Sequence, residues 1–294
     1  MSARVAGAPI SWGVSEVPGW GHQLERDRVL AEMRDLGLTA TEFGPPGFLP
    51  ADPETMAKEL AGFGLTAVGG FLVVVLHDPH HDPLPEVDAF LDGCVAAGAE
   101  VAVLAAGTGG HGYDSRPELD VESWKTLLRN LDRIDQLAAG RGVVATIHPH
   151  VGTMIESAAD VQRVLAGAAI GLCVDTGHLL VGGTDPVALT RDNVERVAHV
   201  HLKDVDAGLA QQVFDGSMTF TAAVSTGMFR PLGQGDVDIA GMVAILDAYD
   251  YSGWYVLEQD VRLEGDPGGE GPAADVAVSL DYLKRLAGAK MRPA

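Results

Sequence analysis

Eight short apolar runs, each followed by a longer segment of helical period, fill almost the whole of this 294-residue chain, and that alternation limits its fold more than any other feature. Runs of four to eleven residues rich in β-branched and aliphatic side chains mark strands at 5–12, 39–43, 65–75, 101–105, 143–148, 170–175, 197–202 and 255–258. Helical patterns follow at 24–36, 53–63, 85–97, 121–139, 157–165, 186–191, 239–249 and 274–286. Asp52-Pro53 and Asp185-Pro186 signal helix starts, because proline pre-sets the first turn and aspartate accepts orphan backbone N–H groups. Glycines at Leu36-Gly37-Leu38, Phe63-Gly64-Leu65 and Ala97-Gly98-Ala99 signal the ends. Eight β-then-α units predict an α/β protein, a closed (β/α)8 TIM barrel forming a single domain over 1–294. An open nucleotide-binding sheet fits less well: no Gly-rich fingerprint follows the first strand, and Gly107-Thr-Gly-Gly-His-Gly112 lacks the Lys-Ser/Thr of a phosphate loop. The segment 204–238 carries no clear pattern, and after the seventh strand it would lie over the barrel mouth as a lid or as a homo-oligomer contact.

Lys and Arg total 20 against 41 Asp and Glu, a net charge of −21 that repels phosphate backbones and anionic lipid. Nucleic acid and membrane are therefore not expected as partners, and a neutral small molecule such as a keto-polyol or sugar fits the field better. Cys94 and Cys173 both sit in patterns typical of a small buried residue, as in a reduced cytoplasmic protein. No window supplies the roughly 18 continuous apolar residues of a membrane span, and the first residues lack the apolar core of an export signal.

Nine of the ten histidines fall within or just after a strand run. In a parallel barrel the carboxyl ends of all strands meet at one mouth, so residues distant in sequence become neighbours there. Four stretches end in metal-binding side chains: Thr146-Ile-His-Pro-His150, Val174-Asp-Thr-Gly-His178, His199-Val-His-Leu-Lys-Asp204 and Val256-Leu-Glu-Gln-Asp260. Asp175 and Glu258 end their strands, where an uncompensated carboxylate would be costly to bury. Period two puts His199, His201 and Lys203 on one side of a strand, with His201 nearer the mouth and His199 one layer deeper. The expected metal ligands are His148, Asp175, His201 and Glu258, with His150 and Glu156 as rivals for the place of His148. A donor set of this kind suits Mn²⁺, Co²⁺, Zn²⁺ or Fe²⁺ better than Ca²⁺, and Mg²⁺ is also open.

Several segments also carry a family resemblance: Ala8-Pro-Ile-Ser-Trp-Gly13, Thr41-Glu-Phe-Gly-Pro-Pro-Gly-Phe-Leu-Pro50, His148-Pro-His-Val-Gly-Thr153 with Glu156, Asp175-Thr-Gly-His178, His199-Val-His-Leu-Lys-Asp204 and Pro231-Leu-Gly-Gln-Gly-Asp236. Over nearly its whole length the chain resembles the sugar isomerase/epimerase superfamily with a xylose-isomerase-type barrel, and within it the myo-inosose (2-keto-myo-inositol) dehydratases. The resemblance implies Asp175, His201 and Glu258 as metal ligands, and the family pattern often has Glu where this chain has His148. The expected reaction is loss of water from a keto-polyol by α-proton abstraction and β-hydroxyl departure. His150 or Glu156 would act as base and His178 or Lys203 as acid, with Trp12, Glu42 and His77 contacting the polyol. Isomerisation or epimerisation of a sugar, or elimination or hydration at a 3-keto-glycoside, would use the same centre. An abasic-site endonuclease is the rival from another class, and the acidity of the chain argues against it.

Overall fold

The computed structural model describes residues 4–289. In chain order its strands are β1 (Arg4–Gly7), β2 (Ala40–Glu42), β3 (Thr66–Val74), β4 (Val101–Ala106), β5 (Val144–Ile147), β6 (Gly171–Asp175), β7 (Val197–Leu202), β8 (Asp204–Val205), β9 (Phe229–Arg230) and β10 (Trp254–Leu257). The helices are α1 (Arg26–Asp35), α2 (Pro53–Gly62), α3 (Leu84–Ala97), α4 (Val121–Gly140), α5 (Ala158–Gly167), α6 (Thr176–Val181), α7 (Pro186–Asp192), α8 (Ala207–Phe214), α9 (Phe220–Ser225), α10 (Ile239–Ala248) and α11 (Ala273–Ala289). Eight strands pair in parallel and close in the order β1-β10-β7-β6-β5-β4-β3-β2, the barrel read from the alternation. Each of the eight apolar runs supplies one barrel strand, to within a few residues except at the first.

Local chemistry sets the boundaries. The first run was expected to extend through residue 12, but β1 stops at Gly7 and Pro9–Trp12 forms a 3-10 turn, because Pro9 has no N–H to give a ladder. Asp52, Asp120 and Asp185 accept N–H groups from the first turns of α2, α4 and α7. Ser157 and Asp160 cap α5 reciprocally. Strands β4, β5 and β6 are buried almost throughout, as parallel strands sheathed in helices must be.

The segment 204–238, patternless by periodicity, is ordered. Strands β8 and β9 pair antiparallel, Asp204 with Arg230 and Val205 with Phe229, and α8 and α9 lie between them. At eight and six residues these helices are too short to show a period in sequence. Buried Asp204 ties the far end down, accepting from the backbone N–H of Gly233, Gly235 and Val237 at 2.8, 3.0 and 3.0 Å. Phe220, Val224, Met228 and Phe229 pack with Trp20, Val151 and Val181 in a cluster separate from the main core. No helix among the described residues is long and apolar enough to cross a membrane.

Candidate active site

Strand register builds the site. Asp175 at the end of β6 stands beside His201 of β7, and Val256 of β10 pairs with the same His201, so Glu258 emerges one pleat higher on the neighbouring strand. His148 follows the last residue of β5 and closes the group from the other side. One side-chain donor atom from each of His148, Asp175, His201 and Glu258 lies within 4.8 Å of the other three. Asp175 Oδ2 is 3.2 Å from His148 Nε2 and 3.6 Å from His201 Nδ1, and Glu258 Oε2 is 2.9 Å from His201 Nδ1. These donors are buried and close-set, and His201 Nδ1 has no well-aligned hydrogen-bond partner among them. Ring nitrogens and carboxylate oxygens gathered this closely suit a cation placed among them.

The charge balance points the same way. Lys203 is 1% exposed, with Nζ 2.8 Å from Asp260 Oδ1, 3.0 Å from Glu258 Oε2 and 3.3 Å from Asp175 Oδ2. Although its burial opposes the charged form, Asp175, Asp260 and Glu258 together hold the ammonium well above its ordinary range. One ammonium thus faces three carboxylates, leaving negative charge for a further cation to offset. Burial pushes the Asp260 carboxyl up to about 6 against the pull of Lys203. Asp260, the last residue of the stretch Val256-Leu-Glu-Gln-Asp260, reaches the site from beyond the end of β10.

Of these groups His148, Lys203, Glu258 and Asp260 line a cavity at the carboxyl ends of the strands, walled by Trp20, Phe71, Tyr113 and Phe220 with Ile10 and Val14, while Asp175 and His201 lie behind them. A family model described as the xylose isomerase-like TIM barrel matches residues 30–286. Inosose dehydratase of Geobacillus kaustophilus (strain HTA426) is 31% identical over 296 residues, covering 96% of this chain and 94% of the relative. The chain belongs to the xylose isomerase-like TIM barrel family. The rhizopine catabolism protein MocC of Rhizobium meliloti is likewise 31% identical over 302 residues, spanning 98% of this chain and 90% of its own. The structure of L-ribulose 3-epimerase shares the fold, with a TM-score of 0.70 at 16% identity over 98% of this chain and 95% of that one.

Within this family member the histidines of the mouth are sorted by their hydrogen bonds. His150 lines the cavity, and its Nδ1 is 2.7 Å from the Val151 carbonyl, which fixes the proton on Nδ1 and leaves Nε2 a lone pair. His178 stacks on it with ring centroids 3.7 Å apart. His178 Nδ1 faces the Val151 N–H at 3.4 Å, and its Nε2, 3.7 Å from Asp260 Oδ2, is buried with no hydrogen-bond partner. Burial drives both rings well below the usual histidine range, His148 and Lys203 adding to it at His150 and His150 and Lys203 at His178.

Three of the expected site residues are placed elsewhere. Glu156 was expected as base or fourth ligand, but its Oε2 accepts from the Gly152 N–H at 2.7 Å and lies 3.4 Å from Arg116 Nε, outside the cavity wall. The cause is local: a carboxylate just ahead of α5 is held by the arginine that also binds Asp160 at 2.7 Å. Trp12 was expected against the polyol and instead is fully buried in the main core, its indole N–H given to Glu32 at 2.8 Å. His77 is only partly buried and does not line the cavity. Glu42 does reach the cavity, but one of its oxygens is taken by His199 and His201. Sequence reasoning missed Tyr113, from a loop, and Phe220, the first residue of α9, whose rings lie 4.2 Å from His150 and 5.6 Å from His178. Tyr113 also donates its hydroxyl hydrogen bond to Glu16, linking two loops across the mouth.

Proposed function

We propose that this chain is a hydro-lyase that removes water from a keto-polyol of the inosose type. The observation that carries the reading is the convergence of His148, Asp175, His201 and Glu258 with Lys203, of which His148, Glu258 and Lys203 line a cavity walled by aromatic rings. Those four side chains would hold one divalent cation, Mn²⁺ or Co²⁺ in our reading, with Zn²⁺, Fe²⁺ and Mg²⁺ as the other candidates. Bound there, the cation would supply Lewis acidity to the ketone oxygen and so ease loss of the neighbouring proton.

The protein groups do the rest. The Lys203 ammonium, fixed by three carboxylates, is oriented to stabilise negative charge growing on a substrate oxygen. His150, its Nδ1 proton held by the Val151 carbonyl, presents the Nε2 lone pair to take the proton α to the ketone. The C–H electron pair becomes the new C=C bond as the β C–O bond breaks, and the departing hydroxide takes a proton to leave as water. Lys203, whose ammonium carries protons beside Asp260, is the group at hand for that transfer. Trp20, Phe71 and Phe220 offer apolar faces to ring C–H groups, and the segment 204–238 acts as a cover that excludes water. The buried thiols of Cys94 and Cys173 support a reducing, cytoplasmic setting.

The test is the mass of the product after incubation with 2-keto-myo-inositol and a divalent cation. A product lighter by one water is expected. An isomer of unchanged mass would replace this reading with epimerisation at the same centre.

A further inference from the structure

Glu42 sits where no simple requirement of the fold puts a carboxylate. It ends β2, is 3% exposed, and lies across the barrel interior from β7. Its Oε1 is 2.9 Å from His199 Nε2 and 3.0 Å from His201 Nε2. The two imidazoles alternate on one strand, so they face the barrel interior one above the other and meet the same oxygen. Because a carboxylate oxygen only accepts, both contacts are hydrogen bonds when the rings carry their protons on Nε2. In the neutral ring, the form that binds a metal, that choice leaves His201 Nδ1 without a proton, and Nδ1 is the atom 2.9 Å from Glu258 Oε2 and 3.6 Å from Asp175 Oδ2. The opposite tautomer would aim an N–H at Glu258 and blunt the donor set.

We infer that Glu42 is a positioning residue that acts through His201, fixing its ring and tautomer so that Nδ1 can ligate a divalent cation beside Asp175 and Glu258. The inference rests on the metal-centre reading above. A carboxylate behind a ligating imidazole both orients the ring and raises its basicity, and losing such a partner lowers metal affinity about 10- to 100-fold. His199 Nε2 meets the same oxygen from one layer below and braces Glu42 there.

The experiment measures Mn²⁺ and Co²⁺ affinity by competition with a metallochromic chelator for the parent chain, Glu42→Gln, His201→Ala and the double variant, alongside the melting temperature of each in excess chelator. We expect Glu42→Gln to weaken binding about 10- to 100-fold. The same change made in the His201→Ala background should then have almost no further effect, since the residue through which Glu42 acts is gone. Glu42→Gln affinity equal to the parent's, or the full loss repeated without His201, overturns the inference even where the melting temperature falls. A parent chain that binds neither ion would instead bring down the metal-centre reading and the inference with it. Tight binding by the parent that is indifferent to Glu42 sinks the inference alone.

Discussion

Replacing Lys203 with methionine separates the electrostatics of the site from its packing. Methionine keeps much of the aliphatic stem but removes the ammonium from Asp260, Glu258 and Asp175, which lie 2.8, 3.0 and 3.3 Å away. At an effective dielectric near 20, each contact at about 3 Å corresponds to roughly 5 kcal/mol of Coulomb attraction, most of it cancelled by the cost of desolvating the charges. What remains after removing one member of a buried pair is a loss of about 3–5 kcal/mol. For a domain of this size that is a fall in melting temperature on the order of 10 °C. The cation-free protein should show it fully, because three carboxylates then lack compensation. Saturating Mn²⁺ should recover part of it, as an ion at 100 times its dissociation constant contributes about 2.7 kcal/mol. Thermal melts of both proteins in chelator and in Mn²⁺ make the comparison. A variant that melts within about 1 °C of the parent in chelator would refute the argument that Lys203 offsets these carboxylates.

Two further outcomes follow from particular contacts. A Cβ placed on Gly177 would lie 2.8–2.9 Å from the Lys203 stem, so Gly177→Ala should move the ammonium and lower kcat about tenfold, with the overpacking costing about 1–3 kcal/mol of stability; unaltered kcat and melting temperature would show that the stem tolerates the shift. Burial raises the Asp160 carboxyl, but hydrogen bonds from Ser157 and Arg116 outweigh it and hold the group low. The stability it contributes is therefore present above the unfolded carboxylate value near 3.9 and lost as pH falls through the depressed folded value, so Asp160→Asn should cost stability at neutral pH and less at pH 3; melts over that range check the sign, and an equal cost at both would refute it.

The barrel was legible because each unit announces itself twice, by an apolar run and by the turn chemistry around it. The convergence of His148, Asp175, His201 and Glu258 was legible for a topological reason: all four stand at or just beyond the ends of parallel strands, and closure brings those ends together. What the sequence could not convey was which way residues point once the strand has ended. Glu156 and His150 lie six residues apart in one loop, yet one turns to Arg116 and the other into the cavity, a choice made by partners from distant segments. Trp12 was drawn out of the mouth in the same way, by a hydrogen bond to Glu32 on α1. Tyr113 and Phe220 carry no periodic signal because they come from loops and a six-residue helix, and only tertiary packing sets them over the histidines.

The most direct test of the central claim joins metal content to product mass in one preparation: the parent chain and Glu258→Gln, each metal-loaded and then chelator-treated, are incubated with 2-keto-myo-inositol. The account predicts about one divalent ion per parent chain and a product lighter by one water, with both lost together in Glu258→Gln and both restored to the stripped parent when the ion is returned. Full dehydration by metal-free protein, or by Glu258→Gln, would contradict it.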